Sequence, residues 1–368
     1  MARDKRLSLE QSKNLTRLKL LGAGRDITIE LSDDEMLRLF SVIMSDLGRG
    51  DFASELPQLP SEFQGDYYSI SLEWFQELLE ETDLVGIYLQ LLDNVPDFAT
   101  YLGCLCELHK RRRKYSVILR AQPLPKMVQV SPRSLLEFGD LPPKALASWL
   151  TWRKWFFDID NRAGQETGYL FEPILANCLG GIAYPSSRSP IRRTLDARKG
   201  RQVDCIVGKD AYEFKLRVTI AASGQGRFAE EIDFARDCQN SGYRPILLVL
   251  DPTPNARLTD LATAFKAAGG IAYIGNDAWD HLEAEAGATM AVFIERYVRR
   301  PIADIDNVSG ELLDLSVSAS SDKTSFNFRL EGDKDLHEWS IARAEDKSLE
   351  TAQADDGREQ MPFQAALE

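Results

Sequence analysis

The run Pro245-Ile246-Leu247-Leu248-Val249-Leu250 restricts the fold of this chain more than any other stretch. Without a polar side chain, it reads as a strand buried on both faces, as in a parallel sheet covered by helices. The pattern around it agrees. A helix is expected from about 228 to 240 and another over 258–268, followed by a shorter strand at Ile271–Ile274 and a long helix over 277–299. Strands alternating with helices imply an α/β fold with an at least partly parallel sheet.

Just upstream, Val203-Asp204-Cys205-Ile206-Val207 and Ala211-Tyr212-Glu213-Phe214-Lys215-Leu216-Arg217-Val218-Thr219 flank Gly208-Lys209-Asp210, a plausible turn. Side chains alternate along a strand, so Glu213, Lys215 and Arg217 share one face while Phe214, Leu216 and Val218 take the other. Folding the hairpin brings Asp204 beside Glu213, two hard oxygen ligands close enough to share a cation. A short strand at Ile182–Tyr184 and a basic, hydroxyl-rich loop over 185–193 precede it, and a flexible link over 221–227 follows.

In-line attack of water on a phosphodiester is helped by a hard divalent ion that activates the water and neutralises developing charge. Mg²⁺ takes one or two protein carboxylates and keeps several waters, which Asp204 and Glu213 suit. Lys215 is placed to orient the water or stabilise the transition state; acting as a base would require a depressed pKa. From spacing alone, a solvated hairpin face with a Glu/Lys pair accounts for the same residues equally well, because short D…ExK matches are common.

The pattern resembles the PD-(D/E)xK nucleases, and the order around it looks like a type II restriction endonuclease: an acid-bearing helix, a strand, the Asp hairpin, Glu-x-Lys, a helix and a buried strand. Gly200-Arg201-Gln202-Val203-Asp204 and the stretch from Tyr212 through Arg227 are similar to the ApaLI-like restriction endonucleases. The resemblance spans roughly 160 to 300. It implies a restriction-endonuclease-like mixed sheet flanked by helices, with Asp204 and Glu213 as metal ligands, Lys215 as the catalytic lysine and Mg²⁺ as cofactor. Val203 stands where the family usually has proline, a departure that removes no ligand. A helical glutamate before the first core strand often supports the metal in that family. Glu172 sits there, and Glu166, one and a half turns earlier, is the alternative; a solvated position explains either acid singly as well.

The net charge of −13 argues against a nucleic-acid partner until its distribution is considered. From Pro185 to Arg227, ten Lys or Arg face four acids, a local +6, whereas from Glu331 to Glu368 eleven acids face four bases, −7. The motif therefore lies in a basic segment. Arg188, Arg192, Arg193, Arg217, Gln225 and Arg227 have the chemistry to hold phosphates or read base edges of double-stranded DNA, although solvated loop residues are as good an account of each singly. By the resemblance, a homodimer places one subunit on each strand of a palindrome.

Residues 1–145 are expected to form a mainly helical N-terminal domain for DNA contact or dimerisation, 146–330 the nuclease domain with an appended hairpin at 312–330, and 331–368 a poorly ordered acidic tail. Ser32-Asp33-Asp34-Glu35 and Ser71-Leu72-Glu73-Trp74 are helix starts. A third helix, about 97–110, ends in Lys110-Arg111-Arg112-Arg113-Lys114, either a phosphate grip or a solvated helix end; residues 115–119 continue it or form a strand. Trp149, Trp152 and Trp155 at helical spacing read as core.

Five cysteines, at 104, 106, 178, 205 and 238, never form CxxC, which points to reduced thiols in a cytoplasmic compartment. Histidines 109, 281 and 337 make no HExxH pair, so zinc hydrolysis has little support. No signal or transmembrane stretch is evident. The leading expectation is a Mg²⁺-dependent, sequence-specific DNA endonuclease. A structure-specific repair nuclease and a non-catalytic DNA-binding protein are the competing ones.

Overall fold

The computed structural model describes residues 7–22, 27–56, 59–60, 66–80, 83–216, 224–254, 256–308, 310, 312–322 and 324–342. Its N-terminal part opens with α1 (Leu9–Lys19), the short ladder of β1 (Leu20–Leu21) and β2 (Ile29–Glu30), and α2 (Asp33–Asp46). The Ser32 hydroxyl accepts from the Glu35 amide, and the Glu35 carboxylate accepts from the Ser32 amide, so the expected capping box forms. Next come α3 (Gly50–Ser54), α4 (Leu72–Gln76), α5 (Leu84–Asn94) and α6 (Phe98–Ala121). Ser71 caps α4 as expected, yet that helix is one turn long and Leu78 beyond it is exposed.

α6 runs unbroken through 110–119, so residues 115–119 continue the helix. The basic run lies inside the fold. Lys110, Arg111 and Lys114 are buried. Lys110 donates to the Arg17 and Leu20 carbonyls and pairs with Glu107; Arg111 and Lys114 both pair with Glu166, at 3.0 and 3.2 Å; Arg113 pairs with Glu35 at 2.9 Å. Neither a phosphate grip nor a solvated end describes it: tertiary partners, invisible in a local charge run, decide its place.

A short α7 (Met127–Val130) leads to α8 (Pro143–Cys178), 36 residues and about 54 Å long, in which the tryptophan-bearing stretch, read as a helix over 145–155, and the acid-bearing one, read near 162–179, are one continuous helix. The boundary expected at 145/146 falls in its first turn. One hydrophobic cluster reaches from Leu15 to Val298 and includes Leu170, Ile174 and Leu175 of α8. Trp155 is core, but Trp149 is 49% exposed and donates to Glu137 instead.

The central sheet has the order β3 (Ile182–Tyr184), β6 (Val203–Val207), β7 (Asp210–Lys215), β8 (Arg244–Val249), β9 (Ile271–Ile274). β3, β6 and β7 pair antiparallel, while β7, β8 and β9 are parallel. The parallel pairs are joined by α9 (Gly224–Asn240) and α10 (Ala256–Ala267), as parallel strands require. Cys205, Tyr212, Phe214, Ile246 and Leu248 join the cluster of the N-terminal helices and α8. Val203, Ala211, Leu247 and Val249 join Phe234, Cys238, Leu261 and Phe265 of α9 and α10. Helices thus cover both faces, as the apolar run at 245–250 demands.

The basic loop carries its own small ladder, β4 (Arg192–Arg193) with β5 (Asp196–Gly200). The expected long helix over 277–299 is interrupted. Gly287 takes φ 68°, separating α11 (Asn276–Glu285) from α12 (Gly287–Ile294), and a π-helical segment at Glu295–Arg299 leads into α13 (Arg300–Asn307). The expected hairpin is β10 (Asp314–Ala319) with β11 (Ser325–Glu331). A third strand, β12 (Leu336–Ala342), extends it into the stretch expected as tail. Residues 343–368 lie outside the described residues. Phe326 and Phe328 pack this sheet on Trp155 of α8, so it is a separate layer. Among the described residues, no helix is long and apolar enough to cross a membrane.

Candidate active site

The site is built at the carboxyl ends of β7 and β8, where open sheets with parallel strands leave a crevice. Cys205 lies opposite Tyr212, Ile206 opposite Ala211 and Val207 opposite Asp210. The turn is therefore Gly208 and Lys209. Gly208 has φ 58°, a value glycine adopts without steric cost. Asp210 belongs to β7, where its carboxylate pairs with Arg244 at 2.6 Å and fastens the start of β8. Continued one step, that register brings Asp204 toward Glu213, whose charge acts on it. The β3/β6 register shifts by one residue between the Ile182–Ile206 and Tyr184–Val203 pairs. Asp204 lies in that irregularity, the kind of bulge that re-aims a side chain.

Asp204 is buried, and its Oδ2 accepts from the Phe214 amide at 2.8 Å. Burial pushes its carboxyl well above the usual range. Glu213 and Glu172 push the same way, against smaller opposing effects of Lys215 and the Phe214 amide. Lys215 Nζ stands 2.7 Å from Glu213 Oε1 and 3.3 Å from Glu231 Oε1 of α9. Burial pulls the ammonium down, but Glu213, Glu231 and Asp204 outweigh it, so its pKa is raised and the group stays cationic.

Glu172 of α8 is half-buried and close enough to act on the Asp204 charge. Pro173 beside it removes an amide donor from the helix interior. The alternative, Glu166, is committed elsewhere to Arg111 and Lys114. Asp204, Glu213, Lys215 and Glu172 thus meet, as the sequence suggested. Glu231 was missed. Its one signal is a place on the helix that returns over the polar face of the hairpin, and an acid on an amphipathic helix ordinarily faces water.

The DNA candidates separate. Arg188 is exposed in its loop, and Arg192 is exposed on β4. Arg193 donates to both Glu230 oxygens at 2.9 Å, so the fold already uses it. Arg201, buried, pairs with Asp237 and Glu230, both at 2.6 Å, and ties the β4–β5 ladder to α9. Beyond that anchor, Arg198 and Lys199 are exposed, with Asp196 as their neighbour. Arg217 lies outside the described residues. Gln225 and Arg227 fall in the first turns of α9 rather than in a link, and their side chains are outside the description.

Carboxylate oxygens are hard donors, and here they crowd one another: Asp204 is destabilised as an anion by two acids, with Lys215 the nearby cation. A hard dication fits that donor set. Among the described residues, no group of three or more His, Cys, Asp or Glu is drawn together tightly enough to hold a metal by itself. The two-carboxylate, water-completed shell of Mg²⁺ needs no such group. All five cysteines are free and buried.

Comparison with known proteins gives two findings. A sequence model of the ApaLI-like restriction endonuclease family matches residues 71–299, which include α8, the whole central sheet and each acid of the site. Over 376 aligned residues the chain is 48% identical to a protein described as type II restriction enzyme ApaLI from Acetobacter pasteurianus, covering 98% of this chain and all of that one. No solved structure matches.

Proposed function

Because the chain belongs to the ApaLI-like restriction endonuclease family, we propose that it hydrolyses phosphodiester bonds of double-stranded DNA at a specific, palindromic sequence with Mg²⁺ as cofactor. It is a type II restriction endonuclease, a site-specific deoxyribonuclease. The finer reading gives it a PD-(D/E)xK core, with Asp204 and Glu213 as metal ligands and Glu172 supporting them. It works as a homodimer with one subunit per strand. Residues 1–145 serve DNA contact or dimerisation.

The observation that carries this reading is the cluster of Asp204 and Glu213 around Lys215, with Glu172 acting on the Asp204 charge. Asp204 and Glu213 would hold Mg²⁺, which when bound would supply charge neutralisation at the phosphate and a more acidic water. Lys215 is read here in its ammonium form, in keeping with the raised pKa that Glu213, Glu231 and Asp204 give it against the effect of burial. Its ammonium donates toward a non-bridging phosphate oxygen as negative charge develops there. The Phe214 amide holds Asp204 Oδ2 and thereby orients the other oxygen of that carboxylate. Water forms the new P–O bond, one bridging P–O bond breaks, and the ends are a phosphomonoester and a hydroxyl. Arg188 and Arg192, exposed on the basic loop and β4, suit phosphate contacts.

Incubating supercoiled plasmids with the protein and Mg²⁺ tests this. Discrete fragments with one common end sequence are expected. Unspecific degradation would support a structure-specific nuclease instead, and intact plasmid at every Mg²⁺ concentration would reject catalysis.

A further inference from the structure

α9 presents adjacent carboxylates to different partners. Glu230 receives Arg193 and Arg201 from the β4–β5 ladder, whereas Glu231 Oε1 lies 3.3 Å from Lys215 Nζ. The helix is fixed around this pair, since Asp237 holds Arg201 and the Thr194 amide while Phe234, Ala235 and Cys238 are buried in the sheet core. Glu231 is therefore offered to Lys215 from a rigid element. Its Oε2 is buried and has no hydrogen-bond partner among the described residues. An unmade hydrogen bond on a buried charged oxygen is costly, and folding alone gives no reason to keep it.

Lys215 needs a second support. Glu213, two residues back on the same strand, pairs with it at 2.7 Å. One partner on a flexible four-carbon stem leaves the ammonium free to swing about that contact. A second carboxylate from another element removes this freedom, and catalysis depends on such fixed geometry. We propose that Glu231 is a positioning residue of the cleavage site, holding the Lys215 ammonium jointly with Glu213 so that it meets the scissile phosphate. The inference rests on the nuclease reading above and adds to it a role outside the Asp204, Glu213 and Lys215 motif. By the same helix, the ladder carrying Arg192 and the lysine at the phosphate share one rigid support.

The test uses the full chain and a supercoiled plasmid that the wild-type protein cuts. Glu231→Gln keeps the shape and removes the charge. Its single-turnover cleavage constant is expected to fall about 10- to 100-fold. Plasmid binding in Ca²⁺, the thermal midpoint and the Mg²⁺ concentration for half-maximal rate should stay at wild-type values, and Glu231→Asp should recover part of the rate. A wild-type rate in Glu231→Gln overturns the proposal. So does a loss that extra Mg²⁺ restores, which would make Glu231 a metal ligand, or a loss matched by weaker binding in Ca²⁺. If Glu231→Gln does not fold, Glu231→Asp decides: slower cleavage at an unchanged Mg²⁺ requirement supports positioning, and the wild-type rate refutes it. Failure of the wild-type protein to cut any plasmid would instead remove the function reading itself.

Discussion

Two clusters of buried charge sit in this molecule, and they balance in opposite ways. Around α6, Lys110, Arg111, Arg113 and Lys114 meet Glu107, Glu166 and Glu35, and Arg112 lies over the Tyr67 and Tyr68 rings at 4.7 and 5.2 Å. Every acid there is engaged by a cation. Around the end of β7, Asp204, Glu213 and Glu231 act on Lys215, and Glu172 acts on Asp204. Negative charge is in excess, and burial, together with the charges of Glu213 and Glu172, pushes Asp204 toward its neutral form. Buried ions cost several kcal/mol each unless compensated. The first cluster is compensated from within, while on the proposed reading the second takes its compensation from a bound cation. That difference, and not the number of charges, marks the second as the functional one.

The comparison breaks most sharply if an acid of each cluster is removed. Asp204→Ala should lower cleavage at least about 10³-fold, roughly 4 kcal/mol of barrier, with plasmid binding in Ca²⁺ retained. Retained cutting would sink the ligand assignment. Glu166→Ala leaves Arg111 and Lys114 buried without their acid and should cost about 3–5 kcal/mol of stability, read as a lower denaturant midpoint. The specific activity of its folded fraction should be unchanged; a loss there would return Glu166 to the site. Smaller effects sharpen the picture at the surface. Arg192→Ala should reduce the slope of log affinity against log salt by about 1. Arg193→Ala should change it less, because Glu230 already neutralises that guanidinium. Equal slopes for the two variants would contradict the pairing.

The same contrast explains what the sequence could tell. The apolar run at 245–250 and the alternation over 203–216 are local signals, and they specify the buried strand, the hairpin and the meeting of Asp204 with Glu213. Local signals mislead where a distant element supplies the partner. Lys110 to Lys114 look like a solvated basic run until Glu35, Glu107 and Glu166 are brought to them. Trp149 shares helical spacing with Trp152 and Trp155, yet those two pack on Phe326 while Trp149 is exposed. Glu231 gains its meaning from the return of α9 over β7, a tertiary fact with no spacing rule. Gly287 cuts the expected helix because it takes a positive φ, which composition alone does not announce.

The claim that the end of β7 needs a cation from outside is tested most directly by thermal midpoints of the wild-type protein and Asp204→Asn across a Mg²⁺ series. Asparagine keeps an oxygen for the Phe214 amide and removes the crowded charge. The wild-type midpoint should rise with Mg²⁺, since a ligand that binds the folded state stabilises it. Asp204→Asn should stay flat, and without metal it should melt at or above the wild-type midpoint. A midpoint for Asp204→Asn that rises with Mg²⁺ as the wild-type one does, or a metal-free variant that melts well below the wild type, would contradict the account.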